Sequence, residues 1–261
     1  PFVLKQVINT CIINFLCYNN MPENISYQDG RQKSVCVIGL GYVGLTLALT
    51  LRDYGVSVCG VDVDSAIVSG INTTRPHFYE HGLEALLLKH REAGFTCFQS
   101  IPRDAGVNTY VVAVGTPFYN DEPDFAYLQS SSKDIGAVLK KGDLVILRST
   151  VPVGATRNYV VPILEKQSGL SAGRDFSVAF APERTIEGDA LRELQTLPQI
   201  IAGIDEKSAA RARELFEYFA PECIILHALE EAEMVKLLNN SFRDFNFAFA
   251  NELLEHVTHL I

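Results

Sequence analysis

From residue 33 to about residue 226, short apolar runs alternate with stretches of helical period. The runs Val35–Ile38, Val56–Val61, Asn108–Val114 and Asp143–Leu147, and those over 176–180, 199–203 and 222–226, are rich in β-branched residues and too short for buried helices. They predict strands, with one more short strand near 95–98. Helices are predicted between Gly44 and Val56 and over 65–71, 82–93, 124–140, 154–168 and 205–219, with loops over 72–81 and 118–123. The strands are continuously apolar, so both sheet faces must be covered. That pattern predicts an α/β fold with a Rossmann-type, doubly wound parallel sheet. From Ala228 to Ile261 there is neither Gly nor Pro, and Met234, Leu237, Leu238, Phe242, Phe245, Phe249 and Leu253 recur at helical spacing. This stretch predicts one long connecting helix leading toward a further domain.

The ends divide the chain. Residues 1–32 are expected to stand outside the fold. Residues 1–20 are apolar but broken by Lys5, Gln6, Asn9 and Asn14, too interrupted for a membrane span and without a signal-peptide cleavage pattern. Met21 is the expected natural start. Residues 33–226 form the expected α/β domain. Residues 227–261 are the expected opening of a central helical domain, because the pattern reaches Ile261 with no C-cap glycine.

The first strand runs into Gly39-Leu40-Gly41-Tyr42-Val43-Gly44, then a helix, then a second strand ending at Asp62. In this arrangement the first glycine permits a tight turn and the second lets the backbone approach a pyrophosphate. The third allows close helix–strand packing, and the helix N-terminus faces the phosphates. A carboxylate at the position of Asp62 suits a ribose 2′-OH and repels a 2′-phosphate, so NAD is favoured over NADP.

Composition adds limits. The formal charge of −9 argues against nonspecific nucleic-acid binding. Six cysteines, Cys11, Cys17, Cys36, Cys59, Cys97 and Cys223, contain no CxxC pair, so they read as small buried hydrophobes in a reducing compartment rather than a zinc site. The six histidines form no ligand set and read as surface residues, so no metal is expected.

Ligands of doubly wound sheets bind beyond the carboxyl ends of the strands. Three more polar clusters fall there: Val114-Gly115-Thr116-Pro117, Ser149-Thr150-Val151-Pro152-Val153-Gly154, and Ala181-Pro182-Glu183-Arg184-Thr185-Ile186-Glu187-Gly188. A plain turn explains the first as well as a ligand contact does. Ser149 or Thr150 as caps of the helix near Gly154 would explain the second. Glu183 and Glu187 are either a solvated loop face or acid/base groups. On the long helix Glu233, Lys236 and Asn240 share a face, and a surface salt bridge from Glu233 to Lys236 is the simplest account.

Taken in order, GLGYVG, YEHGL at 79–83, VGTP at 114–117, STVPVG at 149–154, APERTIEG at 181–188, LPQIIAG at 197–203 and EMVKLLNNSFRD at 233–244 resemble the UDP-glucose/GDP-mannose dehydrogenase family, from about residue 33 to the end. PERTIEG and LPQIIAG look most like its UDP-N-acetylhexosamine branch, particularly the UDP-N-acetylmannosamine dehydrogenases. The resemblance implies a cytoplasmic enzyme of polysaccharide biosynthesis that oxidises C6 of a UDP-sugar to the carboxylate with NAD and dimerises through the long helix. It implies that Gly39 to Gly44 and Asp62 hold the adenosine half of NAD. Val114 to Pro117, Ser149 to Val151 and Glu187 would line the rest. Glu183 would act as acid/base, Lys236 would stabilise an oxyanion, and Thr150 and Asn240 would order it or a water. Glu183, Arg184, Lys236 and Asn240 would meet substrate.

Two departures stand out. Many relatives carry Lys or Arg five residues after the ribose-binding Asp, where this chain has Ile67. The family's nucleophilic cysteine, in a GGxCxPKD segment beyond the long helix, has no match here, and neither does the domain that binds uridine. A chain so built is expected to be inactive alone. The rivals are a non-catalytic NAD-binding module and an NAD dehydrogenase of the 6-phosphogluconate or hydroxyacid type.

Overall fold

A computed structural model describes residues 33–103, 106–120 and 122–258. The expectations about residues 1–32 and a start at Met21 lie outside the described residues. In chain order the elements are β1 (Ser34–Ile38), α1 (Tyr42–Asp53), β2 (Ser57–Val61), α2 (Ser65–Asn72), α3 (Leu83–Glu92), β3 (Cys97–Phe98) and β4 (Thr109–Val112). A hairpin follows, β5 (Phe118–Tyr119) and β6 (Glu122–Pro123), then α4 (Ala126–Gly136) and β7 (Leu144–Leu147). A π-helical turn (Thr156–Val160) continues as α5 (Val161–Ser168). The rest is β8 (Ser177–Phe180), α6 (Ala190–Thr196), β9 (Gln199–Gly203), α7 (Glu206–Phe216), β10 (Cys223–Leu226) and α8 (Leu229–Thr258).

One eight-stranded sheet runs in the order β10-β9-β8-β7-β4-β1-β2-β3. Alternate side chains of β1 go to opposite faces. Val35 and Val37 join one core with Leu45, Leu49 and Phe216, while Cys36 and Ile38 join the other with Leu128, Leu164 and Leu229. Each fully buried aliphatic side chain contributes about 1.5–3 kcal/mol relative to exposure. Helix starts are fixed locally: the Asp64 carboxylate accepts from the N–H of Ala66, and that of Asp205 from the N–H of Ser208.

The expected doubly wound parallel sheet is present, with one correction. β8 and β9 are antiparallel, with Ala179 opposite Gly203 and Phe180 opposite Ala202. A parallel return needs a crossover across the sheet. Here the connection over residues 181–198 contains one helix of seven residues, α6. It spans about 10 Å, and the chain re-enters the sheet at the end where it left. The Gln199 amide accordingly donates to the carbonyl of Pro182, at 3.2 Å. The register carries a further consequence. Leu147 pairs with Phe180, Phe180 with Ala202 and Ala202 with Leu226. The last residue of β10 is therefore level with the carboxyl ends of β7 and β8, and α8 begins at the ligand edge.

α6, the β5–β6 hairpin and the π-helical turn had no distinctive sequence period. The histidines need a second correction. His77, His81 and His256 are exposed, but His90 is buried, with Nε2 3.1 Å from Asp53 Oδ1. Burial lowers its pKa and outweighs the carboxylate, which pulls the other way. Cys36, Cys59, Cys97 and Cys223 are free thiols, buried or half-buried, as expected.

Candidate cofactor and substrate site

The phosphate turn shows three distinct glycine roles. Gly39 has φ +87°, and a Cβ there would stand 2.7 Å from the Ala113 carbonyl oxygen. A Cβ on Gly44 would stand 1.8 Å from the Gly39 carbonyl oxygen. Around Gly41 nothing lies within 4 Å of such a Cβ. The turn is therefore tight at its first glycine, packed at its third, and open at its second, which leaves room for a phosphate group at the N-terminus of α1. Asp62 Oδ2 accepts from Leu40 N at 2.8 Å and Oδ1 from Asp64 N at 3.0 Å. Each carboxylate oxygen keeps acceptor capacity for a ribose diol. These residues fit the adenosine half of a dinucleotide.

Sequence reasoning missed Glu80. It is buried, and its Oε2 accepts from the Tyr42 hydroxyl at 2.8 Å and from Gly188 N at 2.9 Å. It ties Tyr42, at the start of α1, to the 181–188 loop. Burial first, then the neighbouring Glu80, pushes the Tyr42 phenol well above its ordinary value.

The two hydroxyl-bearing strand ends are stitched together. Ser149 Oγ donates to the Val114 carbonyl at 2.7 Å, and Thr116 Oγ1 to the Thr150 carbonyl at 2.5 Å. These bonds bring Gly115, Thr116 and Pro117 beside Ser149, Thr150 and the buried Val151. Ser149 does not cap the following helix. That place is taken by Glu233 of α8, which accepts from Gly154 N at 2.5 Å, Thr156 N at 2.8 Å and Thr156 Oγ1 at 2.5 Å. Glu233 is completely buried, so the expected surface salt bridge to Lys236 is not formed. The reason is the early start of α8 at the sheet edge, which drives its first turns into the 149–156 loop.

Glu183 is also buried, at 6% exposure. Its Oε2 accepts from Arg148, and its Oε1 from the N–H of Arg184 at 2.6 Å and of Thr185 at 2.8 Å. Burial alone would raise this carboxyl. Arg148 and the two N–H groups outweigh it and hold the group below the usual carboxylate range. Arg148, a second residue that sequence reasoning missed, is 1% exposed. It also donates to the Ala181 carbonyl and to Gln199 Oε1, both at 3.0 Å, and lies over the Phe216 ring. The signal for it was a charge closing the apolar run of β7.

Lys236 Nζ donates to the backbone carbonyl of Glu183. Burial pushes its ammonium down to about 8. Arg184 donates to the Pro198 carbonyl at 3.2 Å, Glu187 is exposed, and Asn240 is half-buried one turn beyond Lys236. Among the described residues no hydrogen bond joins Thr150 or Asn240 to Glu183 or Lys236. The structure thus joins Glu183 to Lys236, and Thr116 to Thr150.

Fold and glycine turn together define a dinucleotide-binding α/β domain. Residues 33–220 match the model for the NAD binding domain of the UDP-glucose/GDP-mannose dehydrogenase family, and the chain belongs to that family. It is 42% identical over 228 residues to a UDP-N-acetyl-D-mannosamine dehydrogenase of Campylobacter jejuni, covering 84% of this chain and 55% of the relative. It is 39% identical over 229 residues to an NDP-N-acetyl-D-galactosaminuronic acid dehydrogenase of Ralstonia solanacearum, covering 85% and 53%. The solved UDP-D-ManNAc dehydrogenase of Pyrococcus horikoshii superposes with a TM-score of 0.80 at 36% identity, over 84% of this chain and 52% of that one. A ternary complex of GDP-mannose dehydrogenase from Pseudomonas aeruginosa gives 0.79 at 32% identity, over 84% and 51%. The chain spans about half the length of the relatives it matches.

Proposed function

We propose that this chain is the cofactor-binding half of an NAD-dependent dehydrogenase that oxidises C6 of a UDP-N-acetylhexosamine, with UDP-N-acetylmannosamine the first candidate, for polysaccharide biosynthesis in the cytoplasm. The single observation that carries the proposal is the Lys236 ammonium, half-buried and pinned against the Glu183 carbonyl at the same sheet edge as the phosphate turn. Bound NAD⁺ supplies the acceptor for the hydride leaving C6. Lys236 stabilises the negative charge that grows on O6 as the alcohol proton departs, and its partial burial makes that attraction stronger than in water. Thr150 and Asn240 order the same oxygen or a water beside it. Glu183, held ionised, is in the form that accepts a proton. Arg184 contacts substrate, and Glu187 lies along the nicotinamide end. Asp62 holds the adenosine ribose and orients the dinucleotide.

The second oxidation, aldehyde to acid, needs a thiolate nucleophile. The family's cysteine segment for that step, GGxCxPKD, has no match in this chain, and burial pushes Cys97 and Cys223 up to about 12. The 261-residue chain is accordingly proposed to be inactive alone. α8 is proposed as a homodimer surface. It presents Phe245, Phe247, Phe249 and Leu254, each more than half exposed. Among the described residues no helix is long and apolar enough to cross a membrane. The test is product analysis by mass spectrometry on the protein extended to the length of its relatives, with a panel of UDP-sugars and NAD⁺. Formation of UDP-N-acetylmannosaminuronic acid, abolished by Lys236→Ala, is the expected result. Turnover undiminished in Lys236→Ala would overturn it.

A further inference from the structure

We propose that Glu233 is the positioning residue that sets Lys236 in place, by locking the first turns of α8 to the loop that carries Thr150. The proposal rests on the role given to Lys236 above. Glu233 precedes Lys236 by three residues, so both lie on one helix face, about 4.5 Å apart along the axis. Its carboxylate is fully buried and takes three short hydrogen bonds, from Gly154 N, Thr156 N and Thr156 Oγ1.

A buried carboxylate persists only where donors replace its water. Here two of the three donors are backbone N–H groups at the start of the π-helical turn and α5, where the helix dipole also favours negative charge. The same carboxylate therefore caps one helix and anchors another. One turn earlier, Glu230 reinforces the junction from outside, accepting from Arg157 Nε at 2.6 Å and Nη2 at 3.3 Å. Neither Gly154 nor Thr156 can shift without dragging α8, and neither can α8 turn without moving the residues that follow Thr150. Lys236 reaches the Glu183 carbonyl only from that fixed helix position.

The experiment reads Lys236 itself, on this chain. Competitive labelling with acetic anhydride across pH, with peptide mass spectrometry, gives the titration midpoint of Lys236 in the parent, Glu233→Gln and Thr156→Val. Gln keeps the size but turns an N–H₂ toward N–H donors. Val keeps the shape of Thr and deletes only the Oγ1 bond. The groups that act on Lys236, namely Glu183, Arg243, Arg148 and Arg184, are unchanged in both variants.

The parent midpoint is expected near 8, against an ordinary 10.5. In Glu233→Gln the freed amine is expected to titrate about one unit or more higher. Thr156→Val is expected to move the midpoint in the same direction by less, and it serves as the test where Glu233→Gln fails to fold. A midpoint that stays at the parent value in whichever variant folds overturns the proposal. Turnover surviving Lys236→Ala in the longer protein would instead overturn the role of Lys236, and would leave this titration result standing.

Discussion

Replacing Arg148 by Met is the sharpest test of how the sheet edge is built. Met retains the volume of the arginine stem but removes its charge and every donor. Glu183 then sits at 6% exposure with only the N–H groups of Arg184 and Thr185 as partners. Breaking a buried ion pair from one side costs about 3–5 kcal/mol, because an uncompensated charge stays behind. That cost corresponds to a fall of roughly 10 °C in Tm for a domain of this size. The pH dependence has a definite sign. In the parent, the folded value of Glu183 is lowered, so its contribution is present above the ordinary value of 4.5 and is lost as pH falls through the folded value. In Arg148→Met, burial, the largest influence on this carboxyl, acts with much less opposition and raises it. Protonation then relieves the variant as pH falls. Urea unfolding should show a deficit of about 3–5 kcal/mol at pH 7 that shrinks by at least a third at pH 5. Adding Glu183→Gln should restore about half of the deficit at pH 7. A deficit under about 1 kcal/mol at pH 7, or one equal at both pH values, refutes the argument.

The glycine turn predicts opposite outcomes for neighbouring substitutions. Gly44→Ala forces a Cβ into the Gly39 carbonyl and should cost about 1–3 kcal/mol in denaturant unfolding. Gly41→Ala meets nothing and should leave stability within about 0.5 kcal/mol, yet weaken NAD binding about tenfold or more in calorimetry. Equal stability in the two variants would contradict the assignment of roles. Asp62→Ala should weaken NAD at least about tenfold and NADP far less, narrowing the preference between them. Unchanged discrimination would remove Asp62 from the ribose site. Phe245→Asp with Phe249→Asp should lower self-association in sedimentation experiments, and a parent chain already monomeric at about 100 μM would count against α8 as a dimer surface.

The phosphate turn was legible because each glycine answers a local geometric demand that the sequence states directly. The strands were legible as elements, since Val145, Ile146 and Ile201 are buried on sight of their neighbours. Strand direction was not. Gln199–Gly203 reads the same whichever way it runs, and its reversal shows only in its pairing with Ala179 and Phe180. Glu233 was misplaced because sequence offers Lys236 as its nearest partner, while its three donors come from residues 77 to 79 positions away. Arg148 and Glu80 escaped for a similar reason: a buried charge declares itself only when its long-range acceptors and donors are known.

The reversed pair β9–β10 does more than extend the sheet. Its register overshoots the other strands, so Gln199 stands level with Glu183 and the crevice acquires a side rail made of paired backbone. A rail of that kind does not flap: swinging it outward would tear the ladder between Phe180 and Ala202. Beyond the carboxyl end of β4, by contrast, Phe118 and Tyr119 stand in solvent on a short hairpin. The bank bearing Lys236 is thus held from two sides, by that ladder and by the Glu233 carboxylate beneath the first turns of α8.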